Sequence, residues 1–304
     1  MRTDLPVLSY AVAGSLGIPF PDHRRMPLPP RGPRGRRARL PTLAVDLARC
    51  AVGERSLPGS TAIEFGTALG CMTETEAFLE NMIRTREAEP KPRAFSSSVH
   101  NALASRVAIA LEAKGECRTF THGETSFVQA CFAAGRRWRG GGTEPALVGA
   151  LDETTPMVER RRAVCHPGET REPAEGGAVF LCGAGEVALA RVLAVAYGRP
   201  RQPGAWLARC LSGIALDVAL VDLRAADVER KEIVRALGTE TLASKRWTGD
   251  HPSACACACA LGVALLAGEV APAAVGVSDR PRTLAVLAGS RLGDLGLLIL
   301  GSLP

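Results

Sequence analysis

Glu124 stands where the sequence changes its period, which makes its carboxylate the first group to consider for chemistry. From Gly115 to His122 the chain alternates, with Cys117, Thr119 and Thr121 on one side and Arg118, Phe120 and His122 on the other. Beyond that point Phe127, Val128, Cys131 and Phe132 recur at helical spacing. A strand therefore meets a helix at His122-Gly123, and Gly123 has the backbone freedom for a sharp turn. A residue presented at that helix start faces unpaired amide N–H groups and the positive end of the helix dipole, surroundings that favour a thiolate, an oxyanion or a carboxylate.

A second group lies in Lys245-Arg-Trp-Thr-Gly-Asp-His-Pro-Ser253, where a lysine and a histidine are brought close by Gly249. Lys245 is a candidate ion-pair partner for Glu124, and a solvated strand-end lysine is the plainer alternative. His251 is a candidate acid-base or oxyanion-binding group. Cys255-Ala-Cys-Ala-Cys259 invites a metal, but on a helix steps of two residues turn by about 200°, so Cys255 and Cys259 share a face while Cys257 points away. Buried small-residue packing is the favoured reading there; an extended conformation would align all three thiols. Ser96-Ser-Ser98 has no Gly-x-Ser-x-Gly surroundings and reads as a loop and helix cap, and His100 as a hydrogen-bonded structural histidine.

The elements that must hold these groups alternate between strand and helix. Strands are expected at Val7–Gly17, Thr61–Leu69, Pro145–Asp152, Gly176–Cys182, Val187–Ala196, Ala215–Leu223, Thr241–Ser244, Thr283–Leu287 and Leu295–Leu300. Helices are expected from Arg39 to Gly53, Thr73 to Arg86, Asn101 to Ala113, along the segment after Glu124, and from Asp227 to Leu237. Pro252–Ala267 is apolar nearly all round, the mark of a helix buried between layers. Pro19–Pro33 and Met157–Glu175 read as exposed loops, and Gly289 and Gly293 as the turn between the last two strands. Such alternation argues for a layered α/β arrangement with a buried sheet.

With 304 residues, 46% hydrophobic and 22% charged, the chain is long enough for one large core or two modest ones. No run approaches the length of a membrane helix and no signal peptide is evident, so a cytoplasmic protein is expected. The ten cysteines are scattered and read as reduced. The net charge of +6 is concentrated in Arg31–Arg39 and Glu159–Arg162 without interleaved aromatics, which argues against nucleic acid and suits an acidic protein partner.

The segment from Phe95 to Ala134, with Ser98-Val-His-Asn101 leading a helix into Lys114-Gly115 and then the turn, resembles the β-ketoacyl-acyl-carrier-protein synthases of the thiolase superfamily. Ala146-Leu-Val-Gly-Ala-Leu-Asp152 is similar to the family strand that ends in an acidic residue. The resemblance implies a thiolase-like α/β/α/β/α fold of two related halves, residues 1–190 carrying the elbow and residues 191–304 a shortened repeat. In that family the elbow carries a nucleophilic cysteine, and here Glu124 falls at its position. One family histidine, of a His-Gly-Thr-type loop, has no counterpart, because no histidine occurs from Ala184 to Asp250. The other corresponds to His251, with Asp250 inserted after Gly249.

What the resemblance implies is a ketosynthase-like subunit without its nucleophile, similar to chain-length factors that pair with a catalytic ketosynthase and serve an acyl carrier protein in polyketide, aryl-polyene or fatty-acid-type biosynthesis. No cofactor is implied. Two readings stay open beside it: a diverged acyltransferase or decarboxylase using His251 and Glu124, and a binding protein with a degenerate pocket.

Overall fold

The computed structural model describes residues 1–14, 20–29, 38–165, 174–185, 187–223, 227–290 and 292–303. Most of the basic run Arg31–Arg39 lies outside them, as does part of the expected Met157–Glu175 loop.

The first half opens with β1 (Arg2–Gly14), a short pairing strand β2 (Arg25–Met26), and helix α1 (Arg39–Val52). It continues through β3 (Ala62–Gly66), α2 (Met72–Thr85), α3 (Pro92–Ser98), α4 (Ala102–Ala110) and β4 (Cys117–Phe120). Helix α5 (Ser126–Arg139), β5 (Ala146–Asp152), α6 (Pro156–Cys165) and β6 (Gly176–Cys182) complete it. The second half runs β7 (Ala190–Gly198), α7 (Pro203–Cys210), β8 (Val218–Leu223), α8 (Asp227–Leu237) and β9 (Glu240–Ala243). It ends with α9 (Lys245–Thr248), α10 (Ala254–Ala267), β10 (Thr283–Gly289) and β11 (Leu295–Gly301).

The strands follow one another in the order β4-β3-β5-β6-β1-β7-β11-β10-β8-β9, with β2 paired to β1. Read outward from the β1–β7 seam, both sides repeat one pattern. β6 and β11 pair antiparallel to the seam strands; β5 and β10 pair antiparallel to those; β3 and β8, then β4 and β9, follow in parallel. The fold is thus an internal duplication about the seam.

Side-chain alternation sorts the strands into layers. Tyr10, Val12, Val148, Ala150 and Phe180 of one side and Leu220, Val286 and Leu298 of the other face a shared central core with α5 and α10. Ala11, Ile63, Phe65, Leu147 and Leu181 point the opposite way, onto α1 and α4. Val221, Leu287, Leu297 and Ile299 do the same beneath α7 and α8. Two outer helical layers, two sheet halves and a central helical layer give α/β/α/β/α. The central position explains why 13 of the 14 residues of α10 are buried, a helix with no polar face to spare. Among the described residues no helix is long and apolar enough to cross a membrane.

Several expected boundaries are corrected. β1 begins at Arg2, with Pro6 accommodated beside a register shift near Val7. Ser96–Ser98 are helical, because Pro92 provides a favourable first helical position. Residues of the expected Met157–Glu175 loop form α6, and Glu175 is buried by an ion pair with Arg39. Helix α7 went unexpected, since Leu207 is its single buried residue and no apolar stripe marks it. Gly289 ends β10 instead of lying in the turn.

Candidate site at the strand-helix elbow

β4 delivers the chain to His122, and a single 3-10 turn, Gly123–Thr125, precedes α5. Gly123 has φ +55°, the left-handed conformation the turn requires. Glu124 is therefore one turn ahead of the regular helix and half-buried, while Thr125 and Ser126 behind it are buried. The Ser126 hydroxyl locks the bend: it accepts the His122 N–H at 2.8 Å and lies 2.7 Å from the Gly123 carbonyl to which it donates. Gly66, closing β3, lets this turn seat directly on the sheet, because a Cβ there would lie 2.6 Å from the Ser126 backbone. The bend rests against α10 and the β10 and β11 ends. On that side His122 Nε2 lies 3.6 Å from Asp294 Oδ1, and Arg199 holds the Asp294 carboxyl below its usual range.

His251 is buried just before α10, with Nε2 3.1 Å from the Thr248 carbonyl oxygen. It lines a cavity of about 240 Å³ with Leu69, Glu153, Val158, Arg162 and Asp250, and Glu124 is not among the lining residues. Lys245 is taken up by two other acids: Nζ is 2.8 Å from Asp222 Oδ1 and 2.8 Å from Asp250 Oδ1. The expected candidate pairing of Lys245 with Glu124 is replaced by this bridge, because Asp250, between Gly249 and His251, turns its carboxylate back onto the lysine. Asp250 also receives Arg162 from α6. Asp250 thus sits between two cations.

Asp152, at the end of β5, is the hub that binds these parts. It accepts Thr67 Oγ1 at 2.8 Å, the Leu69 N–H at 2.7 Å and the Ala68 N–H at 3.0 Å. Burial raises its pKa while the Ser253, Leu69 and Thr67 hydrogen bonds oppose the rise. Next to it Glu153 accepts the Thr73 N–H at 2.9 Å and pairs with Arg39 at 3.2 Å. This Arg39–Glu153–Glu175 cluster was invisible in the sequence, since its partners lie 114 and 136 residues apart and none carries a local motif.

The three α10 thiols follow the helical reading. Cys255 and Cys259 lie toward Cys131 and Cys182, while Cys257 approaches the Ala13 carbonyl of β1 at 3.9 Å. Burial pushes the Cys182 and Cys257 thiols up to about 12, which leaves them neutral and unreactive. Among the described residues no three His, Cys, Asp or Glu side chains are grouped to hold a metal ion.

Residues 36–166, which span α1 to the end of α6 and include the elbow, match the family described as "Beta-ketoacyl synthase, N-terminal domain". The whole chain superposes on a type II PKS acyl-carrier protein–ketosynthase complex with a TM-score of 0.77 at 14% identity, covering 100% of both chains. The chain has a ketosynthase-like fold. A ketosynthase in complex with its chain length factor from Xenorhabdus doucetiae gives 0.73 at 14% identity, over 99% of this chain and 98% of that one. The ishigamide ketosynthase/chain length factor gives 0.67 at 20% identity, over 90% and 84%. No curated protein sequence matches the chain. The matched segment contains Glu124 and Asp152 and stops short of Lys245 and His251.

Proposed function

We propose that this chain is a non-catalytic ketosynthase-like subunit of the chain-length-factor type, which pairs with a Cys-bearing ketosynthase and meets acyl chains presented by a carrier protein. The observation that carries the reading is Glu124 in the elbow turn. An acyl transfer there would require a nucleophile that forms a thioester, and a carboxylate held at a helix start is a fixed anion and a poor acyl acceptor. The nearest thiols offer no substitute: Cys117 is on β4, and Cys131 lies inside α5 in the closed central core. Residues 1–190 and 191–304 serve as the two halves of one scaffold in this reading, and the site of action is cytoplasmic.

The pairing has a surface to use. Among the described residues β4 is the terminal strand and bonds only to β3, which leaves its outer edge open there. Helix α4, which packs beside it, exposes Ile109, and the α2–α3 pair that continues from α4 exposes Leu79, Ile83 and Phe95. Glu64, fully buried on the neighbouring β3, receives a forked contact from Arg118, which also pairs with the exposed Glu116 at 2.7 Å.

Co-expression with a Cys-bearing ketosynthase tests the reading. A stable heterodimer, lost on Ile109→Glu, together with acyl label on the partner alone, is the expected result. Covalent acyl label on this chain overturns it. Malonyl-carrier decarboxylation by the isolated chain, abolished by Glu124→Gln, would transfer the assignment to the enzymatic reading built on His251 and Glu124.

A further inference from the structure

The duplication about the β1–β7 seam pairs α1 with α7 as the first outer helix of each half, and the two cover their sheets very differently. α1 lies directly on β1 and β6 and buries eight residues. α7 buries Leu207 alone and packs chiefly on α8. The sheet face that a longer α7 would cover is left under a cavity of about 430 Å³, walled by Ala194 and Ala196 of β7, Leu297 and Ile299 of β11, and Trp206 and Cys210 of α7. That volume falls in the range of small-molecule sites.

The chemistry of the lining is one-sided. Small alanines and two aliphatic side chains form the floor, with the Trp206 ring beside them. The charged side chains lining the cavity are Arg2 and Arg209, with no carboxylate among the lining residues. Arg2 gives one N–H to the Ser212 carbonyl at 2.6 Å, anchoring its guanidinium across the mouth, and Arg209 is exposed at the rim. An apolar floor under two guanidinium groups suits a molecule with an aliphatic tail and an anionic, planar head that accepts forked N–H contacts.

We propose that this cavity, on the opposite sheet face from the elbow, binds a free medium-chain fatty carboxylate. The site is independent of the chain-length-factor reading. It uses no residue of the elbow or of the Lys245–His251 segment.

Titration calorimetry of the full chain with decanoate, decanol and decylamine tests it. Saturable decanoate binding is expected, with decanol and decylamine at least about tenfold weaker, since the charged hydrogen bonds supply that margin. Arg209→Glu, a surface change, should weaken decanoate by about tenfold, and Ala196→Trp, which fills the floor, should abolish binding. Glu124→Gln should leave it unchanged, separating this site from the elbow. Absence of decanoate binding, equal binding of decanol, or affinity untouched by Arg209→Glu overturns the proposal.

Discussion

Ser253 donates its hydroxyl hydrogen to Asp152 Oδ2 at 2.5 Å, joining the start of α10 to the end of β5 across 101 residues of chain. The contact matters because the same carboxylate holds the loop after β3, so one buried anion fixes three segments around the elbow. Asp152→Asn presents an amide N–H₂ to donors that need an acceptor, and should cost about 3 kcal/mol in urea denaturation. Ser253→Ala removes one neutral donor and should cost about 1 kcal/mol. The double variant should be less destabilised than the sum, since the two act on one bond. Strict additivity would show that Asp152 is not the shared node.

The acid cluster beside Asp152 gives a pH signature. Burial, and then the charge of Glu153, raise the Glu74 pKa; burial raises that of Glu153. A raised carboxylate pKa in the folded chain means stability that is full below the unfolded value and lost as pH rises through the folded one. Asp294, whose pKa is lowered, works the other way and loses its contribution as pH falls. Glu74→Gln removes one member of the like-charged pair, so it should raise the thermal midpoint at about pH 8 and give a smaller gain at about pH 5. Thermal unfolding of both proteins across that range checks it; a gain that grows toward acid would contradict the assignment.

How much of this was legible in the sequence depends on whether the deciding partner was local. The elbow was readable because a change of period, a glycine and an acid sit within ten residues. α10 was readable because an unbroken apolar circumference has one explanation, a position between layers. The partner of Lys245 stayed open in the sequence because Asp222 and Asp250 come from β8 and from the turn before His251, and spacing does not reveal which of several acids a lysine will meet. The same holds for Glu175, which reads as a loop acid until Arg39 closes on it. α7 failed for a different reason: with Leu207 alone inside, it leaves no periodic trace.

The two glycines at the elbow should fail unequally. At Gly123 an added Cβ meets no heavy atom nearby, so Gly123→Ala carries only the backbone cost of φ +55°, about 1 kcal/mol. At Gly66 the Cβ would come within 2.8 Å of three backbone atoms of Ser126 and Phe127, which cannot move without displacing α5. Gly66→Ala should therefore cost about 3 kcal/mol or more and disturb the elbow itself. Denaturation midpoints, with near-ultraviolet circular dichroism to follow the packing, distinguish them. Equal losses would mean that α5 does not seat on β3 as described.

The electrostatics of the bend can be read by placing a thiol in it. Glu124→Cys places a thiol at the half-buried position ahead of α5, where the helix dipole favours the thiolate. Cys117 provides an internal reference three residues from the end of the same strand, because it is exposed yet its thiol is pushed up by burial and by Glu64. Iodoacetamide at neutral pH, followed by peptide mass spectrometry, should modify the introduced thiol about tenfold faster than Cys117. Cys131, Cys182, Cys255, Cys257 and Cys259, closed in the core, should stay unmodified until the chain unfolds. An introduced thiol slower than Cys117 would show that the bend does not stabilise an anion, and that Glu124 is held there by something other than the helix start.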